Sequence, residues 1–336
     1  VADTEKELRV AVTGPTGTFG SGLIPLLQAD DRVERIVGIA RRPFDPASRG
    51  WTKLEYRRGD VRDPAALRDA FRDADVVVHL AFLITGGARR ETTRAINVEG
   101  TLNAFRAAAA AGVRRFVYAS SVAAYGFHPD NPEGLTEDWP TRPARRLFYA
   151  REKAELEGLL ADEARGHPEL GLYLLRPSIV LGPHFVGGKG ALPAPLAPLA
   201  SLGWRTAMAV RGWLPVPVPA MRMQFVHEDD VGRALLLCAV GAGPPGAYNI
   251  AGDGVLTAVD VARELGAVPV ALPERPARLA ARVMASVPFL PQAAGWVEAG
   301  SHPAIMSTER ARTELGWSPR YTGLQALRDT LRSSAR

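Results

Sequence analysis

The sequence predicts an α/β protein: a doubly wound parallel sheet with a smaller C-terminal region interleaved with it. Three observations predict this class. Over the first 180 residues short β-branched runs alternate with Ala/Leu-rich stretches, the pattern of a parallel sheet covered on both faces. A glycine-rich turn follows the first apolar run directly, and after Gly182 the alternation gives way to a stretch rich in proline, glycine and tryptophan.

In order, the strands are expected at Leu8–Thr13, Arg35–Ala40, Leu54–Gly59, Val76–Ala81, Arg115–Ser120 and Leu172–Arg176. Helical periodicity fills the gaps at Gly17–Gln28, Pro64–Arg72, Thr92–Ala111 and Phe148–Ala164. Six strands with right-handed crossovers make a doubly wound sheet. Residues 1–182 are therefore read as a dinucleotide-binding domain, and 183–223 with 253–336 as a substrate-binding region. Two strand-like runs, Gln224–Val226 and Ala247–Ile250, flank a helix at Asp229–Cys238, so 224–252 is expected to return to the main sheet. Further helices are expected at Ala277–Ser286, Thr308–Leu315 and Gly323–Arg332.

Composition narrows the function. With 46% hydrophobic and 23% charged residues, the chain of 336 residues reads as globular. Its apolar runs, such as Val76–Ala81 and Leu235–Val240, are far too short to cross a bilayer. The charged start, Val1–Arg9, lacks the apolar core of a secretory signal, which points to the cytoplasm. The formal charge of +5 would suit nucleic acid, but only four basic residues are lysine and the arginines are scattered rather than striped, so no nucleic acid is expected. The single cysteine, Cys238, sits in an apolar helix pattern and reads as core.

The chemistry begins at Thr13-Gly14-Pro15-Thr16-Gly17-Thr18-Phe19-Gly20, after the first strand and at the start of the first helix. Glycine there permits a tight turn and lets backbone N–H groups approach a pyrophosphate. A glycine triplet alone says little; its place inside a βαβ unit is what makes the dinucleotide reading. At the end of the second strand an acidic side chain would accept hydrogen bonds from the adenosine ribose. This chain has Ala40 there, followed by Arg41 and Arg42, which can hold a 2′-phosphate. NADP(H) is thus favoured over NAD(H); a solvated basic turn is the other reading. Asp60-Val61 ends the third strand, where the carboxylate can accept from the adenine amino group. His79-Leu80-Ala81 closes the fourth strand at the same edge, and His79 itself is read as structural.

Tyr149 and Lys153 lie four apart on an expected helix, so they share a face. A neighbouring ammonium stabilises tyrosinate and lowers the tyrosine pKa. Ser121, at the end of the fifth strand, can orient the same substrate oxygen. With these residues in place, the chain resembles the extended short-chain dehydrogenase/reductase superfamily, also called the NAD-dependent epimerase/dehydratase family. The features that carry the resemblance are TGPTGTFG from Thr13, GDV at Asp60, HLA at His79, NVEGT from Asn97, SSVAAYG from Ser120, YAREK from Tyr149 and LRPSIVLGP from Leu174. The resemblance implies a Rossmann-like sheet, Tyr149 as acid/base, Lys153 on the nicotinamide ribose, Ser121 as substrate-positioning group and a structural Asn97. Tyr149, Lys153 and Pro177 are also counted among the cofactor-binding residues, and the resemblance implies a homodimer built on two long helices per subunit, here Thr101–Ala111 and Phe148–Leu160.

Other constellations are set aside. His227-Glu228-Asp229-Asp230 reads as a helix N-terminus rather than a metal site, and no metal is expected. A Gly-x-Ser-x-Gly elbow is absent, against a hydrolase. For the reaction, Val122 and Ala123 follow Ser121 where the resembling sugar-nucleotide dehydratases carry an Asp-Glu pair. The LRPSI stretch looks more like hydroxysteroid dehydrogenase and flavonoid reductase relatives. The expected reaction is NADP(H)-dependent hydride transfer on a largely apolar carbonyl or secondary alcohol. The runner-up is a nucleotide-sugar epimerase, for which Arg205, Arg211 and Arg222 supply positive charge. A dinucleotide sensor without catalysis is the third reading.

Overall fold

A computed structural model of the chain describes residues 7–84, 90–144, 147–184, 215–219, 221–272 and 302–334. Most of the Pro/Trp-rich stretch, with Arg205 and Arg211, and the helix expected at Ala277–Ser286 lie outside the described residues.

The first half alternates as expected: β1 (Leu8–Thr13), α1 (Thr18–Ala29), β2 (Val33–Ala40), β3 (Leu54–Arg58), α2 (Pro64–Phe71) and β4 (Val76–His79). After β4 come α3 (Arg90–Arg94), a wider-turned segment (Ala95–Glu99), α4 (Gly100–Ala110), β5 (Arg115–Ala119), α5 (Phe148–Arg165) and β6 (Gly171–Pro177). The main sheet has seven parallel strands, the six of the first half and one of the two returning runs. The seventh is β11 (Gly246–Ile250), which pairs with β6 and gives the order β11-β6-β5-β4-β1-β2-β3. The other expected returning run behaves differently. β10 (Phe225–His227) pairs with β7 (Ile179–Leu181) in a separate two-stranded ladder. Two more ladders join β8 (Pro215–Pro219) to β13 (Val268–Leu272) and β9 (Arg222–Met223) to β12 (Leu256–Thr257).

Strand period sorts the side chains into two cores. Val10, Val12, Val76, Val78 and Val117 point to one face, where α1 and α6 (Glu228–Val240) cover them. Ala11, Val77, Phe116 and Tyr118 point to the other, under α2, α4 and α5. Both faces of the central strands are thus apolar, as a sheet covered by helices on either side requires. Cys238 is buried in the first core, as expected. The chain closes with α7 (Ala258–Glu264), α8 (Glu309–Glu314) and α9 (Gly323–Ser334). Trp317, fully buried, donates its indole N–H to the Asp230 carbonyl and ties this end to α6. No helix among the described residues is long and apolar enough to cross a membrane.

The candidate active site

Parallel strands bring every chain segment that leaves their carboxyl ends to one edge of the sheet, and the candidate residues gather there. After β1 the chain turns at Gly14 with φ +69°, and a side chain at that position would press on the Ala81 backbone, its Cβ 3.1 Å from the amide nitrogen. At Gly20 a Cβ would stand 2.1 Å from the Pro15 carbonyl oxygen, so only glycine lets the first helical turn fold back on the loop. α1 then starts at Thr18 with Gly17 before it and no side chain capping its first N–H groups. Free N–H groups at a helix start are donors for an anion, and this cradle, closed to a Cβ at two of its glycines, fits a dinucleotide pyrophosphate. Within the turn the side chain of Thr18 donates to the His184 carbonyl at 3.0 Å, and Phe19 packs on the first core.

At the end of β2, where the adenosine is expected, Arg41 and Arg42 are exposed, with no carboxylate within ion-pair distance among the described residues. Sequence reasoning missed a third guanidinium. The β2–β3 register sets Ala40 opposite Arg58, whose Nε donates to the Arg41 carbonyl at 3.2 Å. The Tyr56 hydroxyl also donates to the Arg42 carbonyl, so β3 holds the basic turn in place. Only pairing between strands reveals Arg58 as a neighbour. Asp60 stands beside them, held below the usual carboxylate range chiefly by its hydrogen bonds from Arg62, at 2.8 Å for one. Val61 turns its side chain into the second core, leaving only its backbone to the edge. Leu80 and Ala81 follow β4, and both their N–H groups donate to the Thr13 hydroxyl, at 3.1 and 3.2 Å.

With those two bonds accepted, the Thr13 hydroxyl proton is free for His79 Nδ1, 2.9 Å away. His79 Nε2–H then donates to the Thr101 hydroxyl at 3.0 Å, and Thr101 donates to the Asn97 carbonyl. His79 is a buried, neutral spacer between β1, β4 and α4, and burial drives its pKa down to about 3. The unfolded chain binds a proton below about 6.5 while the folded one does not. Stability from this group is therefore full above that value and is lost progressively as the pH falls toward about 3. In urea denaturation, a His79→Gln variant is expected to lose less stability than the parent between pH 7 and pH 5. An equal loss in both would remove His79 as the acid-sensitive group.

The catalytic candidates converge between β5 and α5. Ser121 begins a short turn after β5 and accepts from the Ala123 N–H at 3.2 Å. Its hydroxyl is also hydrogen-bonded to Tyr149, whose pKa burial pushes up and this bond pulls down. Lys153 is buried one turn further on; its ammonium donates to the Ala119 carbonyl at 2.6 Å and to the Tyr118 hydroxyl at 3.2 Å. The expected lowering of the tyrosine pKa by Lys153 is not met in this arrangement. The ammonium lies 5.9 Å from the Tyr149 ring centre and is turned toward β5, so desolvation prevails. Pro177 ends β6 opposite Ile250, buried, with Ile179 exposed just beyond it.

Behind these groups lies a buried network that the sequence did not signal. Glu157, one turn after Lys153 on α5, accepts from the Ser120 hydroxyl and from Arg176, the nearest N–O distance to Arg176 being 2.6 Å. Arg176 also donates to the Tyr125 hydroxyl at 2.7 Å, which donates to Asn249 at 2.8 Å. Asn97 lies in the wider-turned segment that interrupts the single helix expected over Thr92–Ala111. The extra backbone there aims its amide at the loop after β4, where it binds both the N–H and the C=O of Leu83, and at Glu152, 2.8 Å away. His227 caps α6 by accepting from the Asp229 N–H, and no group of metal-binding side chains is found among the described residues.

Residues 10–251 match the description of the NAD dependent epimerase/dehydratase family. An uncharacterised protein of Mycobacterium tuberculosis is 28% identical over 340 residues, covering 96% of this chain and 83% of its own. Sterol demethylase protein B of Methylococcus capsulatus is 34% identical over 177 residues, 51% of each chain. UDP-glucose 4-epimerase 2 of Oryza sativa subsp. japonica is 30% identical over 223 residues, 60% of this chain and 54% of its own. Among solved structures, dTDP-glucose 4,6-dehydratase of Bacillus anthracis in complex with NAD superposes with a TM-score of 0.71, at 17% identity over 98% of this chain and 96% of that one. With the parallel seven-stranded sheet, the glycine cradle and a family match spanning most of its length, the chain belongs to the NAD dependent epimerase/dehydratase family.

Proposed function

We propose that the chain transfers hydride between NADP(H) and a carbonyl or secondary alcohol of a largely apolar small molecule. The observation that carries this reading is Tyr149 hydrogen-bonded to Ser121 on a helix that also presents Lys153. The Tyr149 hydroxyl, kept protonated by its burial, donates a proton to the substrate oxygen, and Ser121 orients that oxygen. The nicotinamide, when bound, supplies the hydride. Gly14, Thr16, Gly17, Thr18, Phe19 and Gly20 would hold its pyrophosphate, with Asp60, Val61, Leu80, Ala81 and Pro177 along the same edge.

Two features favour reduction or oxidation of an apolar molecule. Val122 and Ala123 are buried after Ser121, so elimination has no acid–base pair there. Ile179, 41% exposed, is an apolar side chain that follows Pro177 where the chain leaves β6. The Methylococcus relative carries a sterol enzyme's name, and a sterol is a largely apolar alcohol. The second reading, a nucleotide-sugar epimerase, draws on the rice relative's name. It uses the same tyrosine, but Arg222, one of the arginines available to a diphosphate, is paired with Glu133 at 2.7 Å. Incubating the purified protein with NADPH or NADH and a panel of apolar ketones, sterols and UDP-sugars separates the two. Consumption of reduced cofactor on an apolar carbonyl is expected; interconversion of a UDP-sugar with no net consumption would replace this reading by the second.

The cofactor preference rests on Arg41, Arg42 and Arg58. Changing Arg41 and Arg42 together to alanine is expected to weaken NADPH roughly 10- to 100-fold, the scale of one or two lost charge-assisted hydrogen bonds, with NADH changed less than about twofold. Isothermal titration with both cofactors reads this directly, and an equal loss for both removes the 2′-phosphate assignment. We also propose a homodimer through the outer faces of α4 and α5, where Ala110 and Gly158 expose little side chain. Sedimentation as a monomer at micromolar concentration would exclude it.

A further inference from the structure

We propose that Phe82 is a positioning residue for Lys153: its ring face keeps the buried ammonium charged and held at the end of β5, beside Tyr149. The inference rests on the reading of Tyr149 and Lys153 as the acid–base pair. Lys153 Nζ lies 3.7 Å from the Phe82 ring centre, well inside the range of about 6 Å over which a ring quadrupole attracts a cation, whereas it meets Tyr118 through the hydroxyl, 3.2 Å away. Phe82 also meets Tyr149 edge to face, with centroids 5.7 Å apart at 89°. One ring therefore touches both members of the pair.

Lys153 has need of such a partner. Its hydrogen bonds run to a carbonyl and a phenol, both neutral. Burial draws its pKa down to about 7, against the attraction of Glu157 and Glu152 on its own helix. The other titratable groups facing it are Tyr118 on β5, Tyr149 on α5 and His79 on β4, and the last is neutral, with both ring nitrogens bound by threonines. A ring face adds attraction without adding a charge that would itself need burial. The loop carrying Phe82 is fixed one residue on: Asn97 clamps both backbone groups of Leu83 and reaches Glu152, the neighbour of Lys153 in sequence. Asn97 thereby ties the ring's loop and the ammonium's helix together.

The chain has only four lysines, Lys6, Lys53, Lys153 and Lys189, so ε-13C-lysine labelling gives four resonances, and Lys153→Met assigns the one of interest. Its pH titration in the otherwise unchanged protein is compared with Phe82 replaced by 4-fluoro- and pentafluorophenylalanine, which weaken the ring's negative face. Phe82→Leu and Phe82→Tyr complete the series. The Lys153 pKa is expected to fall stepwise with fluorination, by about one pH unit in the pentafluoro protein and in Phe82→Leu, and to be retained in Phe82→Tyr. An unchanged titration across the fluorinated series overturns the proposal even if Phe82→Leu fails to fold. The readout needs no substrate. A shifted titration alongside full turnover in a Tyr149→Phe protein would instead refute the acid–base reading and leave the role of Phe82 standing.

Discussion

Replacing Tyr149 by phenylalanine is expected to cut turnover by about 10²–10⁴-fold, the range a positioned general acid contributes, while leaving NADPH affinity within about twofold. The asymmetry follows from where the hydroxyl sits. Its partner is Ser121 at the end of β5, whereas the cradle expected to take the pyrophosphate is built by the β1–α1 turn, on another part of the sheet edge. The ring itself packs on Phe82 and on a small cluster with Ala123, Leu147 and Ala150, and phenylalanine keeps all of that packing. Fold and cofactor site therefore stay as they are, and only the proton donor goes. Unchanged turnover against the substrate found in the carbonyl panel would mean that another group supplies the proton. A parallel loss of NADPH affinity would mean that the hydroxyl also orders the cofactor.

The legibility of this site in the sequence follows the range of the interactions concerned. Strand and helix periods are local, so β1, α1 and the turn between them could be read almost to the residue, and the four-residue spacing of Tyr149 and Lys153 placed both on α5. What a side chain does once there depends on partners far away in sequence. Arg58 joins Arg41 only through the β2–β3 register, and Phe82 meets Lys153 across 71 positions of chain. Asn97 was legible as a motif residue, but its reach to Leu83 and Glu152 depends on a wider turn that helical period does not betray. β10 and β11 look alike as short apolar runs, yet only β11 finds a free edge of the main sheet, on β6; β10 takes β7 instead. Lys153 is expected to stabilise a tyrosinate, an effect that needs the ammonium beside the tyrosine oxygen, and it is turned to Ala119 and Tyr118 instead. In the folded site burial acts on both groups, favouring the neutral form of each.

The buried Glu157–Arg176 pair carries the largest stability effect expected. Both side chains are almost inaccessible, at 5% and 7% exposure, and each makes hydrogen bonds beyond the pair. Such a pair gives the fold little relative to well-packed apolar groups, because the attraction is offset by the cost of removing both charges from water. Breaking it from one side is another matter. Arg176→Met leaves the buried Glu157 carboxyl without its bidentate partner, with the Ser120 hydroxyl and the attraction of Lys153 one turn away, and about 3–5 kcal/mol of stability is expected to be lost in urea denaturation at pH 7. The double variant Arg176→Met with Glu157→Leu removes the stranded carboxyl as well, and is expected to be more stable than Arg176→Met alone. The sign of that difference is the test. A double variant less stable than the single would mean that the carboxylate is worth more to Ser120 and the end of β5 than it costs to bury. In that case the network would be holding Ser121, the next residue, in register, and turnover in the folded single variant Glu157→Gln would fall together with stability.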